Sequence, residues 1–181
     1  FAGETEPRVA KILASDFGND LALIKVDVTG LIAATFAKPG SVQIGDTVVA
    51  IGYALALDGG PTVTSGIVSA LKRTIETDSG ALNSLIQTDA AISSGNSGGP
   101  LVNSAGSAIG INSAIATLGG ASSATGSIGV GFAIPINQAR RTAEEIIRTG
   151  KSTKPVIGVT LDVRYTGPGA KIAENSIGGG E

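Results

Sequence analysis

The sequence predicts a mainly β protein, a small-residue barrel with one helix late in the chain. Three observations carry this reading. Apolar residues make up 42% of the 181 but aromatics only 3%, and there are 27 glycines, a balance that favours a β architecture over a helical bundle. Short apolar runs are separated by Gly, Pro, Asn and Asp turn residues from one end to about residue 135, as in barrels built of many short strands. A single stretch with helical spacing follows them.

Arg8 to Ala14 and Leu21 to Val26 read as strands joined by an Asp-Phe-Gly-Asn turn. Leu31 to Gly45 reads as a loop, with Pro39-Gly40 at a turn. Thr47 to Gly52 is a short apolar strand. Asp58-Gly59-Gly60-Pro61 marks a turn, and Thr62 to Leu71 is β-branched and strand-like. Thr74 to Gly80 is polar and is expected as a surface loop. Leu85 to Thr88 leads into a Gly/Ser loop. Pro100 to Val102 and Ala108 to Ser113 pair across the Asn103-Ser104-Ala105-Gly106 turn. Thr117 to Ser127 is rich in Gly, Ser and Ala and is expected to be mobile, and Ile128 to Pro135 is a strand. Asn137 can cap a helix over Ala139 to Ile147, with Gly150 ending it. A strand-like segment, Val156 to Val163, begins after the polar Lys151 to Pro155 stretch. The expected domain boundary therefore lies at 150–155, giving units 1–150 and 151–181.

Composition narrows the partners. The net charge is −2 and no basic tract exists, which disfavours nucleic acid and anionic membrane. With no Cys and no His, no metal site is expected, and no cofactor either. Gly150-Lys151-Ser152 resembles the end of a nucleotide-binding loop, but Glu145 stands where that motif needs glycine and a helix precedes it. Uncharged residues run from Ala90 to Ala139, yet Gly, Ser, Asn and Pro interrupt them too often for a membrane helix.

The chemistry concentrates in Gly95-Asn96-Ser97-Gly98-Gly99-Pro100. Amide hydrolysis passes through a tetrahedral oxyanion, and backbone N–H groups aimed at it lower the barrier. Glycines beside Ser97 let the chain turn sharply and approach a substrate. Ser97 is the candidate nucleophile, with the N–H groups of Gly95 and Ser97 as candidate oxyanion donors. The plain alternative is an anion-binding turn. Asp20 stands at the entrance of the strand Leu21-Ala22-Leu23-Ile24-Lys25-Val26. A carboxylate held there suits the orientation of a histidine, although an ordinary strand-edge aspartate looks the same.

In order along the chain stand Asn19 to Val26, Thr64-Ser65-Gly66-Ile67-Val68-Ser69, Gln87-Thr88-Asp89-Ala90-Ala91-Ile92, the serine loop and Gly131-Phe132-Ala133-Ile134-Pro135. This combination resembles the HtrA/Deg family of trypsin-like serine proteases, from about residue 9 to 150. The resemblance implies two six-stranded β-barrels with the active site between them, Asp20 as triad aspartate and Ser97 as nucleophile. The family's histidine falls upstream of Phe1, so the chain is expected to be a piece of a longer protein with its first barrel incomplete. Made alone, it is expected to be inactive.

Asp89 invites confusion with the acidic base of a trypsin specificity pocket. Counting back from Ser97, the resemblance places that position at Ala91, and Asp89 is expected to have a structural hydrogen-bonding role. The pocket then reads as apolar, with Ile92 and Ile115-Ala116 as walls, and as favouring small aliphatic side chains. Ile111, Asn112 and Ser113 are expected to pair with extended substrate as an added strand. Val156 to Thr160 with Gly167 to Ile172 resembles the start of the family's PDZ domain, Ile157-Gly158-Val159 matching its carboxylate-receiving loop; the alternative is a linker.

The implied function is an ATP-independent serine endopeptidase of protein quality control, acting on unfolded or misfolded proteins in the periplasm or cell envelope. A homotrimer and C-terminal peptide ligands of the PDZ domain are the partners this implies. The alternative is a non-catalytic, chaperone-like pseudoprotease that holds peptides in the same groove.

Overall fold

The computed structural model describes residues 7–53, 60–77, 80–115, 129–153, 159, 161–162 and 164–173. Eight strands and one helix follow in order: β1 (Ala10–Asp16), β2 (Leu21–Val26), β3 (Thr47–Gly52), β4 (Thr62–Thr77), β5 (Gly80–Thr88), β6 (Pro100–Asn103), β7 (Ala108–Ile115), β8 (Gly131–Pro135) and α1 (Ile136–Thr149). Six strands close a barrel in the order β3-β4-β5-β8-β7-β6, with β6 returning to β3 through Val49↔Val102. Strands β1 and β2 form a separate antiparallel pair. The chain is thus mainly β with one helix, and its described residues contain one closed six-stranded barrel.

Strand periodicity explains the barrel. Side chains alternate faces along a strand, so Val48 and Ala50 of β3, Leu101 of β6 and Ala133 of β8 point inward and are fully buried. Val68, Ile86, Ala90, Ile92 and Ile109 complete this core. Small and branched side chains fill an interior of this strand number, which is why so few aromatics suffice. On β8 the neighbours of Ala133 face out: Phe132 and Ile134 pack with Leu82 and Leu85 in a second cluster, against Leu21 of β2. Each such fully buried Leu or Ile contributes about 1.5–3 kcal/mol relative to exposure.

The polar stretch after Leu71 differs from its expectation as a loop. Strand β4 continues to Thr77 and pairs with β5 from Gly80. Thr and Ile favour extended backbone, Ile75 packs against the second cluster beside Leu82, and Arg73 Nε to Gln87 Oε1 (2.9 Å) and Thr74 Oγ1 to Asn83 Oδ1 (3.0 Å) bond across the ribbon. Helix α1 starts one residue after β8, with Pro135 rather than Asn137 at its N-cap. Gly150 ends it in the left-handed conformation (φ 78°), its N–H on the Ile146 carbonyl. The 117–127 segment, and most of Val156 to Val163, lie outside the described residues; Leu161 and Ile172 form an isolated bridge. Among the described residues, no helix is long and apolar enough to cross a membrane, and no three metal-ligating side chains gather.

Candidate active site

Between β5 and β6, the backbone runs along the barrel rim through the serine loop. Gly98 takes φ 84°, a conformation that costs a side chain but not glycine. A Cβ at Gly99 would run into the Ile51 carbonyl oxygen, so only glycine lets the loop lie flat on β3. Asn96 is fully buried and donates Nδ2 to the Ala91 carbonyl (3.3 Å), which also accepts from Thr64 Oγ1 (2.8 Å). The Gly98 N–H donates to Asn112 O (2.8 Å) and the Gly99 N–H to Asn96 O (3.0 Å). The N–H groups of Gly95 and Ser97 have no acceptor among the described residues. Both of these residues are exposed.

The Ser97 hydroxyl donates to the Ser113 carbonyl oxygen at 2.9 Å. Ser113, 3% exposed, donates its own hydroxyl to Asp20 Oδ2 at 2.5 Å. One residue of β7 therefore connects the exposed serine to the carboxylate. A carbonyl oxygen cannot take the serine's proton, so in this arrangement the hydroxyl is held but not activated. The sequence supplies no histidine to stand between Ser97 and Asp20.

Asp20 is presented by the turn between β1 and β2. Phe17–Asn19 form one 3₁₀ turn, and Asp20 follows in the left-handed region (φ 54°) with its N–H on Phe17 O (3.4 Å). Asp16 is buried and caps the turn, accepting from Asn19 N (3.1 Å) and Asn19 Nδ2 (2.7 Å).

The remaining sequence candidates fall in different places. Ala91 is half-buried at the base of the serine loop. Ile92 is fully buried in the barrel core against Gly131, and so lies inside the wall rather than on its surface. Strand register corrects the expectation for Ile111 and Asn112. Ile111 pairs with Pro100 of β6 and Ile134 of β8, and Asn112 exchanges backbone bonds with Gly98 and Gly99. Neither has an edge left for an added strand. The Ile111 side chain instead lines an apolar hollow of about 370 Å³ between β2 and α1, away from the serine. The Asn112 side chain is buried, donating to the Ile51 and Pro100 carbonyls (both 3.3 Å). Pairing between β7 and β6 ends at Ile111↔Pro100, short of Ser113. Ala116 lies outside the described residues. Asp89 accepts from the Ile67 N–H at 2.7 Å, a backbone-tying contact. Sequence reading missed the bond from the Ser113 hydroxyl to Asp20 and that from Gln138 Nε2 to Asn19 Oδ1 (3.1 Å); each partner lies far away in sequence, where no local pattern points to it.

The chain resembles known proteins over most of its length. Residues 2–111 match the family described as the trypsin-like peptidase domain. Serine protease PepD of Mycobacterium tuberculosis is 45% identical over 185 residues, 98% of this chain and 39% of that protein. Periplasmic pH-dependent serine endoprotease DegQ of Escherichia coli is 43% identical over 151 residues, 83% of this chain and 31% of DegQ. The solved structure of the HtrA-type protease AlgW with decapeptide superposes with a TM-score of 0.75 at 40% identity, over 86% of this chain and 45% of AlgW. This chain spans less than half the length of each of these relatives. The serine loop, its link to the carboxylate turn and these likenesses together place the chain in the HtrA/Deg family of trypsin-like serine proteases.

Proposed function

We propose that the intact protein is an ATP-independent serine endopeptidase of extracytoplasmic quality control, cutting unfolded or misfolded chains. The observation that carries this reading is the convergence of Ser97 and Asp20 on Ser113. A histidine from outside this sequence completes the triad. Its Nδ1–H faces Asp20, and its Nε2 takes the Ser97 proton as Oγ attacks the scissile carbonyl. The Gly95 and Ser97 N–H groups receive the developing oxyanion. The imidazolium then gives its proton to the leaving amine, and water repeats the sequence to release the acyl group.

Substrate lies as a strand beside β7 from Ser113 onward, its P1 side chain over Ala91 with Ile92 behind. Polypeptide is the substrate class that fits an added strand, and the solved relatives carry a decapeptide or a tripeptide. The periplasmic description of DegQ supports an envelope location. Residues 151–181 are the linker and the start of a PDZ domain, which takes C-terminal peptides, and the intact protein assembles as a trimer.

The test is casein cleavage by the intact protein and by its Ser97→Ala form. Removing a triad serine costs about 10⁶ in kcat. Unchanged turnover in the variant eliminates the assignment. The missing histidine favours a second reading, a peptide-holding pseudoprotease. That reading is chosen if the intact protein suppresses aggregation of unfolded casein but never cleaves it.

A further inference from the structure

Asp20 carries a backbone conformation (φ 54°) that is uncommon outside glycine. Surroundings must hold it, and the β1–β2 pair offers little of its own. A two-stranded ribbon is marginal alone, and the Ile12 and Ile24 side chains are 65% and 55% exposed. Asn19 is the fixed point of the turn. It is 6% exposed, and its Nδ2 is committed to the Asp16 carboxylate at 2.7 Å. That choice leaves Oδ1 as an acceptor on the other side. Gln138 of α1 fills it, donating Nε2 at 3.1 Å. The amide cannot reverse, because its oxygen would then face a carboxylate and its nitrogen would face the Gln138 donor.

Side-chain hydrogen bonds from Ser113 to Asp20 and from Gln138 to Asn19 tie the Asp20 turn to the rest of the protein. The first acts on the carboxylate and the second on the backbone that carries it. We propose that Gln138 is a positioning residue for the reaction, setting Asp20 through Asn19 so that helix α1 fixes the carboxylate at its distance from Ser97. The inference rests on the triad reading of Ser97 and Asp20. Gln138 touches no reacting atom. The barrel core contains no part of this link, so its loss displaces the turn without opening the barrel.

The test uses the intact protein and a peptide substrate. Gln138→Met keeps the length of the side chain and removes its donor. Its kcat falls about 10- to 100-fold, the scale of a small misplacement of a catalytic group, while KM and the melting temperature stay close to wild type. Gln138→Lys returns a donor at the same position and recovers most of the rate. In an Asp20→Asn background, Gln138→Met causes no further loss, because the group it acts through is already disabled. Equal losses in both backgrounds, or a Gln138→Met enzyme as fast as wild type, overturn the proposal. If Gln138→Met does not fold, Gln138→Lys decides: a rate near wild type supports the donor role, and a rate 10-fold down refutes it. Ser97→Ala is the separate control, since turnover near wild type there overturns the triad reading itself.

Discussion

The Ser97 hydroxyl and the Asp20 carboxylate are held by the same residue, Ser113, through its carbonyl and its hydroxyl respectively. The backbone of β7 thereby measures the separation between nucleophile and carboxylate. Pairing with β8 holds β7 on both sides of Ser113, at Asn112↔Ala133 and Ile115↔Gly131, with an irregularity between them.

Replacing Ser113 with Ala keeps the carbonyl and deletes the bond to Asp20. A hydrogen bond to a charged group contributes about 1.5–3 kcal/mol, and Asp20 is exposed, so the lower end applies. We expect kcat/KM of the intact protein to fall about tenfold with Ser97 still reactive toward a fluorophosphonate. A rate unchanged from wild type refutes a role for this contact.

The polypeptide Phe1–Glu181 made alone is expected to lack useful peptidase activity. Its serine donates to a carbonyl and has no base, and an oxyanion site by itself leaves only about 10³–10⁴-fold catalysis over water. The check is a fluorophosphonate probe on folded polypeptide. Rapid stoichiometric labelling of Ser97 contradicts the expectation and requires another base.

Cleavage by the intact protein is expected after small aliphatic residues, since Ala91 rather than an acid stands at the base of the serine loop and Asp89 is occupied by the Ile67 N–H. One methylene in such a pocket changes selectivity by only about 1–3 kcal/mol, so the preference is modest. Mapping cut sites on an unfolded protein tests it. Dominant cleavage after Lys or Arg rules it out and returns Asp89 to consideration.

Below α1, the Thr153 hydroxyl donates to Glu145 Oε1 at 2.6 Å. The Thr153 side-chain bond, then its backbone bond, hold the Glu145 carboxyl below its ordinary value of 4.5. A carboxyl whose folded pKa is depressed favours the folded contact above its unfolded pKa, and the benefit disappears as pH falls through the folded value. An NMR titration should place Glu145 below 4.5, and Thr153→Val should raise it. A midpoint unaffected by that substitution dismisses the contact.

Much of the fold was legible because it rests on local signals. Thr47–Gly52 and Leu21–Val26 are short apolar runs bounded by turn residues, and Gly150 closes the helix as its φ requires. The serine loop was legible for a related reason: Gly98 and Gly99 are demanded by local conformation and by contact with Ile51. What stayed hidden depends on pairings distant in sequence. Nothing near Ser113 announces Asp20, and nothing near Gln138 announces Asn19. The unavailable edge of Ile111 and Asn112 follows from register with β6 and β8, which no run of residues reveals alone. The β4–β5 ribbon escaped because Ile75 is the one apolar residue from Lys72 to Thr77, too little to show the alternation that marks a strand.

The bond from Gln138 to Asn19 spans 119 positions, and this has a consequence for biosynthesis. Ribosomes add about 5–20 residues per second, and amino-terminal parts emerge first. The Asp20 turn therefore leaves the tunnel on the order of ten seconds before the helix that secures it. Throughout that interval the serine loop is still missing or newly made, and the carboxylate lacks its anchor. Until α1 has been made, the Asp20 turn has no hold from Gln138.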